Sequence, residues 1–138
     1  MYTSRNSTNH FRGYEYMDEK IKQALANDQW IDITTLGRKT AQHRRIELGI
    51  HLIDGEYYIT GTPGKRGWYA NMIANPQFTV HLKESMAASL RAEATPIRDE
   101  EVRRAVFAKL VIEMGREQEQ VAVWVADSAL VRVKFLDQ

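Results

Sequence analysis

The chain contains no cysteine. That excludes disulfides, thiolate-ligated metals and thiol nucleophiles, and it fits a reducing compartment. Long apolar runs are missing too. The longest uncharged stretch, 67–80, includes Asn71, Asn75, Pro76 and Gln77, and it falls short of the roughly 18 apolar residues a spanning helix needs. Stable membrane insertion is therefore not expected, and a cytoplasmic location follows. Neither sign of charge dominates: 19 basic residues face 18 acidic ones, for a net charge of +1. No global field draws the chain to nucleic acid, so any preference for anions has to be local. The histidines, His10, His43, His51 and His81, have no metal-ligand spacing and no clustered carboxylates beside them, so no metal site is expected. The serines Ser85, Ser89 and Ser128 lie in no nucleophile elbow, which leaves a hydrolase without support.

What is present is an ordinary globular composition. With 43% hydrophobic residues in a chain of 138, one domain can bury a real core without staples. The polar stretch 1–13 has no apolar signal core and is expected to be a flexible tail, leaving a single domain over 14–138. Tyr14, Met17, Ile21 and Leu25 recur at helical spacing and predict a helix over 14–27. A β-branched strand over 30–35 follows. Then Ile46, Leu48, Ile50 and Leu52 alternate with Arg45, Glu47, Gly49 and His51 as one half-buried strand would. Asp54-Gly55 signals a hairpin into 56–60, and Pro63-Gly64 breaks that strand.

A two-turn helix over 68–74, ended by Asn75-Pro76, leads to strands over 78–82 and 86–94. Asp99, Glu100 and Glu101 make an acidic start for a helix striped by Val102, Val106 and Leu110. A further helix over 117–126 should turn Val121, Trp124 and Val125 inward, and 130–136 alternates as a last strand. Consecutive short strands with hairpin signals predict an α+β fold built on an antiparallel barrel. No G-x-G-x-x-G follows a strand, which weighs against a Rossmann domain.

Two loops carry chemistry. In the first, Arg38, Lys39, Arg44 and Arg45 place four cations within eight residues with no acid among them. Thr34, Thr35 and Thr40 add hydroxyls, and Gly37 allows a sharp turn. Clustered charge-assisted donors suit phosphate and carboxylate groups, although a solvated hairpin tip has the same composition. In the second, Gly61, Thr62, Gly64 and Gly67 surround Lys65 and Arg66 at the start of a helix, where unsatisfied N–H groups favour anions. Trp68 is either a wall for a flat ring or, with Ile73, a core plug at one end of the barrel. Tyr69 and Asn71 are expected to turn polar ends toward a cleft.

Thr-x-Gly-Arg-Lys-Thr followed by Arg-Arg, then Trp-Tyr-x-Asn and Asn-Pro, resembles the deazaflavin-dependent nitroreductase and quinone reductase family. The match runs over about residues 30 to 136, in the expected order. The resemblance implies an antiparallel split β-barrel, related to flavin-reductase barrels, and coenzyme F-420, a deazaflavin with a phosphate and an oligoglutamate tail. It implies that Arg38, Lys39 and Arg44, with Thr40 in the same turn, hold the phosphate and tail. Thr60, Gly61, Thr62 and Gly64, with Trp68 and Tyr69, would line the ring pocket. Asn71 falls in the motif and is assigned to helix-start structure. The implied activity is hydride transfer to a quinone, nitroaromatic or other conjugated acceptor, with the product's proton coming from water or from Tyr69. Split barrels commonly dimerise, so a homodimer is an expectation by analogy. Two departures stand out: Ala41 occupies a position where glycine is common, and 116–127 has no tyrosine but carries Gln118, Gln120 and Trp124. Alternatives of other kinds are an FMN-dependent reductase and a non-catalytic barrel that holds a flavin, haem or lipid-like ligand.

Overall fold

The computed structural model describes residues 18–136, so the expected tail and the first turn of the 14–27 helix lie outside the described residues. Helix α1 spans Glu19–Asn27 and opens on Asp18, whose carboxylate accepts from the backbone N–H of Ile21 at 3.0 Å. Seven strands follow: β1 Ile31–Leu36, β2 His43–Leu48, β3 His51–Ile53, β4 Glu56–Thr60, β5 Gln77–Leu82, β6 Ala88–Pro96 and β7 Leu130–Phe135. Helix α2, Gly67–Ala74, lies between β4 and β5. Helices α3, Glu100–Glu113, and α4, Val121–Asp127, lie between β6 and β7, with a 3₁₀ turn at Gln118–Gln120 before α4.

All neighbours in the sheet pair antiparallel, in the order β2-β1-β5-β6-β7-β4-β3. The two edge strands are consecutive in the chain, joined only by Gly49 and Ile50. Three backbone steps reach at most about 11 Å, whereas the edges of a flat seven-stranded sheet stand about 29 Å apart. The sheet therefore has to roll until its edges meet. That is the split barrel, and it corrects the single strand expected over 45–52. The alternation there belongs to two separate edge strands, and Ile46 and Leu52 are exposed.

Two apolar cores result. Inside the roll, Ile31, Ile33, Tyr57, Ile59, Val80, Val131 and Val133 pack with Leu25 of α1 and with Trp68 and Met72 of α2. On the outer face, α3 and α4 bury Phe107, Leu110, Val111 and Trp124 against Tyr58 and Leu130. Strand β4 feeds both: Tyr57 and Ile59 point in, and Tyr58 points out, as a period of two requires. In α3 the buried stripe is Val106, Phe107, Leu110 and Val111, while Val102 is exposed. Val121, Trp124 and Val125 of α4 are buried as expected. The Asp54-Gly55 turn has φ of 51° and 83°, both positive, as a two-residue hairpin needs.

Candidate functional site: a basic hairpin against a glycine-rich loop

Residues 37–42 join β1 to β2. The N–H of Gly37 donates to the carbonyl of Gln42 at 2.7 Å, and the N–H of Ala41 donates to the carbonyl of Gly37 at 3.0 Å. Gly37 is needed for space: a Cβ there would lie 2.8 Å from Thr40 Oγ1 and 2.9 Å from the Gln42 carbonyl oxygen. Thr40 Oγ1 is engaged within the turn, accepting from the N–H of Gln42 at 3.2 Å. Ala41 adopts φ +58°, a left-handed conformation that costs an L-residue about 1 kcal/mol.

The hairpin is latched to α2. Asn71 Oδ1 accepts from the Arg38 backbone N–H at 3.1 Å and from Arg38 Nη1 at 3.0 Å, while its Nδ2 donates to Thr35 Oγ1 at 3.1 Å. Both Asn71 and Thr35 are buried. Asn71 lies inside α2 rather than at its start, so its place in the motif is explained by the latch. Trp68, one turn away, is 9% exposed and belongs to the inner core. Ile73, expected beside it in the core, is exposed.

The glycine-rich loop is held by its own arginine. Arg66 donates from Nη2 to the Thr62 carbonyl at 2.8 Å and to Thr62 Oγ1, and from Nη1 to the Lys65 carbonyl at 2.9 Å. A Cβ on Gly61 would lie 3.0 Å from Arg66 Nε, so the arginine wraps closely over this glycine. Gly64 has φ +127°, and its N–H donates to the carbonyl of Asp127 at 2.9 Å, which ties this loop to the end of α4. Thr60 Oγ1 donates to the Ala129 carbonyl at 2.5 Å. Helix α2 starts at Gly67 with no side-chain cap, leaving its first N–H groups available.

Two adjoining cavities open between these elements. One, of about 480 Å³, is walled by Thr35, Arg38, Lys39, Arg44, Trp68 and Asn71. The other, of about 830 Å³, is bounded by Gly64, Lys65, Tyr69, Arg98, Arg103 and Ser128 among others. Arg38 and Gly67 border both. A Cβ on Gly67 would meet no protein atom within 4 Å, so the junction of the two cavities is open. A third, shallow pocket of about 170 Å³ includes His43 and lies apart.

The sequence model for F420H(2)-dependent quinone reductase matches residues 5–134. The chain belongs to that family. It is an oxidoreductase family that uses the reduced deazaflavin coenzyme. None of the curated proteins matches the chain. Among solved structures, it is similar to HutZ, the heme storage protein from Vibrio cholerae, at 16% identity over 93% of each chain with a TM-score of 0.64. It is similar to a conserved hypothetical protein, Rv2991, from Mycobacterium tuberculosis at 17% identity, over 88% of this chain and 85% of the other, TM-score 0.66. It is also similar to an F420 reductase at 16% identity, over 83% of this chain and 92% of the other, TM-score 0.64. At these identities the likenesses establish the split-barrel fold.

Within this reductase-family chain, the fold brings Arg38, Lys39, Thr40, Arg44, Trp68 and Asn71 around the smaller cavity, and Gly64 and Tyr69 around the larger. Thr60, Gly61 and Thr62 wall neither; they shape the loop behind it. The sequence reading missed the opposite wall. Arg103 reaches from α3 to the end of α4, donating to the carbonyls of Val125 (2.9 Å), Ile97 (2.7 Å) and Ser128 (2.5 Å), with its guanidinium 5.4 Å from the Phe107 ring centroid. Burial lowers its pKa and the nearby Tyr69 phenol opposes that shift, yet an arginine stays charged. A signal existed: once the buried stripe is placed on 106, 107, 110 and 111, residue 103 falls on the same face, and a cation there demands partners.

Proposed function

We propose that this protein transfers a hydride from reduced F-420 to a quinone, a nitroaromatic or another conjugated acceptor. One observation carries the reading: Arg38, fixed by Asn71, borders both cavities, so the cationic hairpin and the glycine-rich loop form one continuous site. The residues fit the coenzyme. Arg38, Lys39 and Arg44 would take the phosphate and tail carboxylates at the smaller cavity. Gly64, Trp68 and Tyr69 would border the ring, and the open space at Gly67 permits close backbone approach. Thr40, Thr60, Gly61 and Thr62 keep the two loops in shape, and Asn71 positions Arg38.

Bound F-420 supplies the hydride, two electrons with one hydrogen, and is oxidised as the acceptor is reduced. The chain's own work is placement. Gripping an anionic tail at a distance uses binding energy remote from the reacting carbon to orient the ring. The second hydrogen arrives as a proton, which we assign to Tyr69 on the wall of the larger cavity.

The test is anaerobic. Reduced F-420 should be oxidised by menadione in the presence of the protein, with reduced FMN as the competing arm; tight binding without oxidation would leave only a carrier. The double substitution Arg38→Ala with Lys39→Ala removes two charge-assisted contacts and should weaken coenzyme binding by about 100-fold or more, so an unchanged fluorescence titration would remove the anion-cradle assignment. Tyr69→Phe should lower turnover by about 100-fold at unchanged coenzyme affinity if the phenol is the proton donor. Full turnover in that variant would hand the proton to water.

A further inference from the structure

Resting on the reductase reading, we infer that the larger cavity has a second anion subsite, formed by Arg98 with Ser128, that takes a carboxylate of the acceptor. Arg98 and Ser128 are brought together by Arg103, whose guanidinium bridges the carbonyls of Ile97 and Ser128. The N–H of Ile97 also donates to the carbonyl of Leu130 at 2.9 Å, which fixes the segment carrying Arg98 beside the one carrying Ser128.

Three features of this wall point to an anionic ligand. First, Arg98 is exposed on the cavity and enters no ion pair among the described residues, while its neighbour Asp99 is spent capping the N–H of Val102 at 3.0 Å. Second, Ser128 is buried, lines the cavity, and its hydroxyl has no hydrogen-bond partner. An orphaned buried hydroxyl is costly and calls for a partner, a water or a bound group; beside an unpaired arginine we assign that partner to an anionic ligand. Third, the remaining charges on this wall do not neutralise Arg98. Arg103 and Arg66 are committed to backbone carbonyls, and the single acid, Asp127, faces Arg38, Lys65, Arg66, Arg98 and Arg103 around one cavity.

The position of the subsite separates it from the coenzyme's tail. The tail cations Lys39 and Arg44 border the smaller cavity, which includes neither Arg98 nor Ser128. With the ring between Gly64 and Tyr69, the space next to Arg98 is where an acceptor would lie.

The experiment compares a naphthoquinone carboxylate with its methyl ester. Calorimetric titration into the coenzyme-free protein should show the acid binding about tenfold tighter than the ester, the size of one charge-assisted contact. Arg98→Gln should abolish that preference, and Ser128→Ala should reduce it while raising the melting temperature. The ratio of kcat/KM for acid over ester, with reduced F-420, should fall with the same variants. No preference in the wild type, or a preference that survives Arg98→Gln, overturns the subsite. So does a Ser128→Ala variant that melts higher yet keeps the full wild-type preference for the acid. If Arg98→Gln weakens F-420 but not its tail-free chromophore, the anion belongs to the coenzyme tail and the acceptor assignment is wrong. Binding and turnover are separate readouts: a wild type that prefers the acid yet leaves reduced F-420 unoxidised keeps the subsite and removes the reductase reading.

Discussion

Asn71 spends both ends of its carboxamide on the basic hairpin, and this makes it the residue through which helix α2 sets the position of Arg38. Its oxygen takes two N–H groups of Arg38, one from the backbone and one from the guanidinium, and its nitrogen holds the buried hydroxyl of Thr35. Truncation to alanine would leave the Thr35 hydroxyl buried without this partner and release Arg38 from its rotamer. Asn71→Ala should therefore cost about 1–3 kcal/mol of stability and also weaken coenzyme binding, although Asn71 is more than a packing residue only if both change. Denaturation and a fluorescence titration on the same variant check this. A lower urea midpoint with unaltered coenzyme affinity would reduce Asn71 to a structural role. The residue types at this site were legible in the sequence because clustered cations and glycines announce themselves by composition. The latch was not: it joins residues 33 or more positions apart, and no local pattern says that an asparagine inside a helix will face a hairpin.

Elements explain why the hairpin is presented as it is. Strand β2 is an edge, exposed from His43 through Glu47, and it is held to β1 and to Lys83, just past the end of β5, by ion pairs on the outer face: Arg45 to Asp32 at 2.9 Å, Lys83 to Asp32 at 2.7 Å, and Lys83 to Glu47. The turn between β1 and β2 carries the one strained backbone position of the described site loops that is not glycine, Ala41 at φ +58°. Ala41 is exposed, so glycine there loses no packing. Relief of the left-handed penalty, about 1 kcal/mol, exceeds the extra freedom glycine gives the unfolded chain, about 0.4 to 1 kcal/mol, and Ala41→Gly should raise stability by up to about 0.5 kcal/mol. A urea midpoint that falls would show that the turn is not strained. Element existence was readable from periodicity in β5 and β7, where apolar and polar positions separate cleanly, and α2 from the Asn75-Pro76 stop that ends it. The β2–β3 region misled because alternation reports a strand but not where the strand ends, and nothing local in 43–53 reveals that Gly49-Ile50 carries the chain between opposite edges of the sheet. In α3, Val106 and Leu110 are buried as expected, but Val102 is exposed although apolar, and the helix turns Arg103 inward instead, to cap α4.

At the scale of the whole molecule, rolling the sheet determines how stability responds to acid. His51 begins an edge strand that closes the roll, and burial depresses its pKa more than the Glu113 carboxylate, 3.4 Å away, raises it. His81 sits in the interior strand β5 between Thr34, at 2.7 Å, and Ser89, at 3.0 Å. Its pKa is lowered first by burial and then by Arg45, against a smaller opposing effect of Asp32. In the unfolded chain both would titrate near pH 6.5. Below that value the unfolded state takes up protons that the native state resists, so stability falls as pH drops, until the lower native pKa values are reached. Asp32, whose pKa is lowered chiefly by its hydrogen bond from Lys83, adds a further loss in more acidic solution. Lys83 acts at the other end: its raised pKa contributes stability that is present below its ordinary range and lost above it. The urea midpoint should therefore be lower at pH 5.5 than at pH 7.5 with the same m-value, and the double variant His51→Gln with His81→Gln should flatten that slope. A wild-type midpoint that stays constant across this window would mean that neither imidazole is kept neutral by the closed roll.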